Sequence, residues 1–134
     1  MSNGAGMTYN RLRTGRLAEA RAAEHLALLG YEILDRNART RFGELDIVAL
    51  DRRALVFVEV KAVRSGGKVG PERPVLWVTP RKQVRVRRLA TAWIAERRSG
   101  GAVPRYAEIR FDAIGVVLGP GDEVVDLEHL VGAF

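Results

Sequence analysis

Gly43-Glu44-Leu45-Asp46-Ile47-Val48-Ala49-Leu50 and Ala54-Leu55-Val56-Phe57-Val58-Glu59-Val60-Lys61, joined by Asp51-Arg52-Arg53, decide the fold. Both runs read as strands, and the link is short enough for a tight hairpin. A hairpin symmetric about Arg52 and Arg53 pairs residues whose numbers sum to 105. Asp46 then stands opposite Glu59, and Glu44 opposite Lys61. Side chains alternate along a strand, so all four project from one face, which continues toward the turn as Val48, Leu50, Leu55 and Phe57. The other face carries Leu45, Ile47, Val56, Val58 and Val60, with no polar residue. Opposed carboxylates repel unless something positive sits between them, and a divalent cation is the usual reason to hold two of them within about 5 Å. The competing reading is a Glu44–Lys61 cross-strand ion pair beside a solvated Glu59. An apolar turn end and a charged far end describe a covered sheet with a polar mouth, which favours a site.

At 134 residues the chain is one domain, long enough to bury about two-thirds of its unfolded surface. It has no cysteine, which excludes disulfides and thiolate metal sites. No apolar run approaches the ~18 residues of a membrane span, and Met1 to Thr8 holds no apolar signal-peptide core. A cytoplasmic protein with no membrane partner is expected. The net charge of +6 is unevenly spread: residues 1–105 hold 21 Lys/Arg against 10 Asp/Glu, and residues 106–134 hold one Arg against six acids. A basic body of this kind suits a polyanionic partner. Arginine outnumbers lysine 19 to 3, which matches bidentate phosphate contact and equally matches a GC-rich genome.

Working outward, residues 1–10 are Gly/Ser/Asn-rich and predict an unstructured segment ahead of a single domain over 11–134. A helix is predicted from Gly15 to Leu29, with Gly30 as its C-cap and Ala22, Leu26 and Leu29 inward. Glu19 borders that stripe, where it needs a partner or gains from the helix N-terminus. Tyr31 to Asp35 reads as a first strand and Arg36 to Arg41 as a basic connection. A Gly/Pro-rich loop from Arg64 to Pro74 reads as a plain surface loop or as a flap over a phosphate site. Thr79-Pro80 starts a second helix, which runs to about Arg98 and buries Val86, Leu89, Ala90 and Trp93. Arg81, Arg85 and Arg88 share another side of that helix, for phosphate contact or simply in solvent. A strand from Ile109 to Leu118 follows, then a Gly119-Pro120-Gly121 turn and a last strand at Glu123 to Leu127. The order is a three-stranded antiparallel meander, a crossover helix and a further strand in a mixed α/β sheet.

That order, with Asp46 on the second strand and Glu59-Val60-Lys61 on the third, resembles the restriction-endonuclease-like, or PD-(D/E)xK, nuclease superfamily and its αβββαβ core. In detail the chain is similar to the YraN-type family of bacterial proteins, with a layout like that of archaeal Holliday-junction resolvases. The resemblance rests on Gly15-Arg16-Leu17-Ala18-Glu19 with Ala22, Leu29 to Asn37, Gly43 to Val48, Val56 to Lys61, Lys82-Gln83 with Arg85, and Arg110-Phe111-Asp112. One departure is Lys61-Ala62-Val63-Arg64, where the family more often has Thr-Arg directly after the lysine. Arg64 stands one residue further on to compensate.

The resemblance implies a nucleic-acid-binding protein and a Mg²⁺- or Mn²⁺-dependent endonuclease cutting DNA, with branched or repair intermediates as candidate substrates. Asp46 and Glu59, with the Val60 carbonyl, would hold the metal; Lys61 would position or deprotonate water; Glu19 would serve a second metal or metal-bound water. Glu44 would orient Lys61. Nucleic-acid contacts are expected from Arg39, Arg41, Arg64, Lys68, Arg81, Lys82, Gln83, Arg85 and Arg88. The alternative is a non-catalytic nucleic-acid-binding or adaptor protein on the same fold, since folds do not carry function. DNA ranks before RNA as partner, and a homodimer stays open.

Overall fold

A computed structural model describes residues 3–66, 73–101 and 103–134. Its elements are α1 (Asn3–Leu28), β1 (Glu32–Thr40), β2 (Gly43–Asp51), β3 (Ala54–Arg64), a 3-10 turn (Pro74–Trp77), α2 (Pro80–Ser99), β4 (Glu108–Leu118) and β5 (Val124–Leu130). The five strands lie in the order β1-β2-β3-β4-β5. The β3–β4 pair is parallel, the chain crossing over through α2, and the other pairs are antiparallel. This is the mixed α/β sheet that the element order predicts, consistent with the restriction-endonuclease-like fold that the resemblance implies.

The sheet lies between the two helices. Ala18, Ala22 and Leu26 of α1 cover Ile47, Ala49, Val56 and Val58 on one face. Val86, Leu89, Ala90 and Trp93 of α2 cover Val48, Leu55 and Phe57 on the other. The two faces separate by alternation of side chains, as the period of a strand requires. Thr79 caps α2 by accepting the Lys82 N–H at 3.3 Å, ahead of Pro80. The β2–β3 register runs from Ile47↔Val58 to Asp51↔Ala54, every pair summing to 105, with Arg52 at φ 55 in the turn.

Four sequence expectations are corrected. Leu45 joins Val48 and Phe57 on the α2 face rather than Ile47 on the α1 face. Alternation breaks at this corner, where Asn37, one residue before Leu45's partner Ala38, takes a left-handed φ of 50 and the β2–β3 ladder stops at Ile47↔Val58. Arg36 to Arg41 is not a connection, because β1 runs on to Thr40 and pairs with β2 as far as Thr40↔Gly43. Helix α1 begins at Asn3, well ahead of the predicted Gly15. It also ends at Leu28, leaving Leu29 57% exposed instead of inward.

Candidate functional site

The β2–β3 ladder stops at Ile47↔Val58, and the next residues on each strand are Asp46 and Glu59. Asp46 Oδ2 accepts the Val60 N–H at 2.8 Å, which fixes that carboxylate against β3. The Asp46 and Glu59 carboxyl groups lie within hydrogen-bonding reach of each other. Burial raises the pKa of Asp46 despite the Val60 bond. Burial, followed by the charge of Asp46, pushes Glu59 up to about 7, against the opposing pull of Lys61 and Lys82. The pair lines a pocket of about 200 Å³ with Glu44, Lys82 and Arg85.

Helix α1 delivers Glu19 to this corner. Burial, then repulsion from Asp46 and Glu44, raises Glu19 to about 7. With the Asn37 amide nitrogen turned toward the carboxylates, it donates to Glu19 Oε2 at 2.6 Å and to Glu44 Oε1 at 3.2 Å. Asn37 therefore bridges α1 to β2, and its left-handed backbone, tolerated by Asn, aims the side chain there. Among the described residues no three His, Asp or Glu side chains form a ready metal cage. Glu19 neighbours the Asp46–Glu59 pair, close enough for Asp46 to act on its titration. A pair alone fits Mg²⁺, which takes one or two carboxylates and keeps several waters.

Lys61 acts electrostatically on both Asp46 and Glu59, and its ammonium lies within hydrogen-bonding reach of Lys82. Contact with Lys61, then burial, lowers the pKa of Lys82. Two acids and two lysines thus share one corner, two of the four arising from β3, one from β2 and one from the start of α2. The Glu44–Lys61 pairing is not formed, because Glu44 bonds Asn37 and lies opposite Arg39 of β1.

The expected nucleic-acid contacts separate into three groups. Arg39, Arg41, Arg81, Arg85 and Arg88 are exposed. Arg64 is committed elsewhere: Nε donates to Thr14 Oγ1 at 3.0 Å, and Nη1 to Gly119 O at 3.1 Å and Asp122 Oδ1 at 2.7 Å. It fastens β3 to α1 and the β4–β5 turn, so it does not replace the missing family hydroxyl. Gln83 Nε2 donates back to Val78 O at 3.1 Å, which holds the start of α2 instead of facing the pocket. Lys68 lies outside the described residues.

A polar network under α1 is unassigned by the sequence reading. Asp112 of β4 is fully buried and accepts from Arg110, His129 Nε2 at 2.8 Å and Gly132 N at 3.0 Å. Arg110 also reaches Asp51 and Tyr31, and His129 Nδ1 meets His25 Nε2 at 3.2 Å. Arg110 and Asp112 alternate on a central strand that is wholly apolar after them, and two charges on one buried strand face require partners. That signal is present in the sequence, although the partners come from three other elements.

With this geometry in place, the family model described as "Uncharacterised protein family UPF0102" matches residues 18–116. A UPF0102 protein of Frankia casuarinae is 46% identical over 120 residues, 90% of this chain and 94% of the relative. Another from Mycobacterium tuberculosis is 41% identical over 129 residues, 93% and 94% of the two chains. A third from Mycobacterium avium is 42% identical over 127 residues, 93% and 92%. The chain belongs to the UPF0102 family. The UPF0102 match opens one residue before Glu19 and takes in Asp46, Glu59, Lys61, α2 and Asp112; His129 and the rest of β5 fall beyond it. No helix among the described residues is long and apolar enough to cross a membrane.

Proposed function

We propose that this UPF0102 protein is a Mg²⁺- or Mn²⁺-dependent phosphodiesterase that cleaves DNA at the Asp46–Glu59 corner. The observation that carries the reading is the close, partly buried carboxylate pair with Lys61 and Lys82 beside it. Two acids forced together cannot both carry charge without a penalty, and a divalent cation removes it. Such a metal, held by Asp46 and Glu59, would polarise a phosphate oxygen and lower the pKa of bound water.

The chain's own residues do the rest. Val60 N–H locks Asp46, so the pair is pre-set rather than assembled on binding. Lys61 offers an ammonium beside both acids, placed to stabilise negative charge on a phosphoryl group. Lys82 and Arg85 extend that positive wall along α2. Glu19, with a pKa near 7, exchanges a proton readily at neutral pH and is the group suited to take one from water.

The basic surface of α2, with Arg81, Arg85 and Arg88 exposed, supports one other reading, a DNA-binding protein without cleavage. Incubating the purified protein with Mg²⁺ or Mn²⁺ and linear, flapped or four-way DNA separates the two. Metal-dependent products that vanish with Asp46→Asn support the phosphodiesterase. Tight, salt-sensitive binding with intact DNA supports the other.

A further inference from the structure

We propose that Phe42 is a stacking platform for an unpaired nucleobase, so that the site selects DNA carrying single-stranded bases a few nucleotides from the cut. This rests on the phosphodiesterase reading and adds the substrate class to it. Phe42 sits at the β1–β2 turn and is 50% exposed, a costly place for an aromatic ring without a partner. The turn is fixed: Thr40 Oγ1 accepts the Phe42 N–H at 3.1 Å and donates to Gly43 O at 2.9 Å. Gly43, at φ +143, seats the turn against α2, where an added Cβ would meet Arg85 Nη2 and Leu89 Cδ2 at 3.3 Å.

Two guanidinium groups already lie over the ring, Arg88 at 4.6 Å and Arg41 at 5.8 Å from its centroid. Neither side chain is in an ion pair among the described residues. Beside the ring lies a recess of about 460 Å³, floored by Ala92 and Ala95 of α2. Glu96 lines the same recess and accepts the Arg41 main-chain N–H at 3.2 Å, which leaves two guanidinium charges against one carboxylate, and an apolar protein partner would bury that excess. A nucleotide satisfies both features, its base covering the ring and its phosphate meeting the arginines. Phe42 stands four residues before Asp46, at most about 13 Å at ~3.3 Å per residue. That is roughly four base steps of ~3.4 Å.

The experiment compares a fully paired duplex with a flapped duplex carrying 2-aminopurine at its unpaired positions, with the full chain in EDTA so that no cutting occurs. Phe42→Ala and Phe42→Leu should each weaken flap binding by about 5- to 100-fold and abolish the 2-aminopurine signal. Duplex binding should stay within about twofold, and Phe42→Trp should restore flap binding. Thermal melts of each variant confirm folding. Equal losses on both DNAs, no loss on either, or a leucine as good as phenylalanine would overturn the platform while leaving the phosphodiesterase reading standing. A parent protein that binds neither DNA overturns the platform as well, and the metal-dependent cleavage assay then decides the phosphodiesterase reading.

Discussion

Asp46 of β2 accepts the main-chain N–H of Val60 of β3, so a side-chain oxygen continues the sheet where the main-chain ladder has stopped. The bond separates two kinds of substitution. Asp46→Asn keeps an oxygen for Val60 and removes the charge that repels Glu59. Asp46→Ala leaves a partly buried N–H without its acceptor, a loss of about 1–3 kcal/mol.

In metal-free buffer, Asp46→Asn and Glu59→Gln should therefore melt at or slightly above the parent, and Asp46→Ala several degrees below it. All three should lose cleavage. Mg²⁺ at a hundred times its dissociation constant should stabilise the parent by about 2.7 kcal/mol, and the charge-removing variants far less. If Asp46→Asn and Glu59→Gln melt well below the parent and Mg²⁺ moves none of the proteins, the pair is scaffold and the proposed function loses its support.

The raised carboxyls set a pH dependence. Glu19 and Glu59 both titrate near 7 in the fold against an ordinary 4.5, so the folded state favours their neutral forms. Their contribution is fully present below about 4.5, is lost as pH rises to about 7, and is level above that. The Glu19→Gln/Glu59→Gln double variant should gain on the metal-free parent across this window, by roughly 1–2 kcal/mol after allowance for solvent screening. Burial and His129 lower His25, which acts oppositely, costing stability as pH falls below 6.5. The difference between parent and variant melting curves isolates the acids, because His25 is common to both. A difference independent of pH would contradict their assignment.

Arg85 and Arg64 provide the next contrast. Arg85 is exposed on α2 and lines the carboxylate pocket, whereas Arg64 is tied to Thr14, Gly119 and Asp122. Replacing Arg81, Arg85 and Arg88 with Ala should reduce the slope of log affinity against log salt by about 0.9 for each phosphate that is no longer neutralised. Arg64→Ala should leave that slope unchanged and lower the melting temperature instead. Titrations at several salt concentrations with melts alongside decide it. A slope change for Arg64 alone would reverse the assignments.

The parts of this molecule that can be read from the chain share a cause: they depend on neighbours in sequence. The 105 register follows from a two-residue turn, and the α2 boundaries follow from Thr79-Pro80 and the terminal glycines. Leu45 departs from strict alternation at the corner where Asn37 is left-handed and the β2–β3 ladder has stopped. The Asn37 bridge to Glu19 and Glu44 depends on the same corner, so the role of that amide is invisible in a strand pattern. Arg64 looks like a phosphate contact in sequence because its true partners lie 50 to 58 residues away.

Asp112 tests the largest feature that sequence reasoning leaves unassigned. Its carboxylate is fully buried, and Arg110, whose side chain is 18% exposed, binds both of its oxygens at 2.9 and 3.0 Å. Burial alone would raise its pKa, but hydrogen bonds from His129, Arg110 and the Gly132 N–H outweigh that and hold it at about 2. A folded pKa below the ordinary 3.8 means that this stabilisation is present above about pH 4 and is lost as pH falls toward 2. Asp112→Ala leaves Arg110 without its main counter-charge inside the fold, at a cost of about 3–5 kcal/mol. The melt at pH 7 should fall by roughly 10 °C or more, with Asp112→Asn intermediate, and the gap from the parent should close as pH approaches 2. No residue of this network lines the Asp46–Glu59 pocket, so DNA affinity measured below the transition should match the parent. An Asp112→Ala protein of normal stability with lost DNA binding would move the network out of the scaffold and into the site.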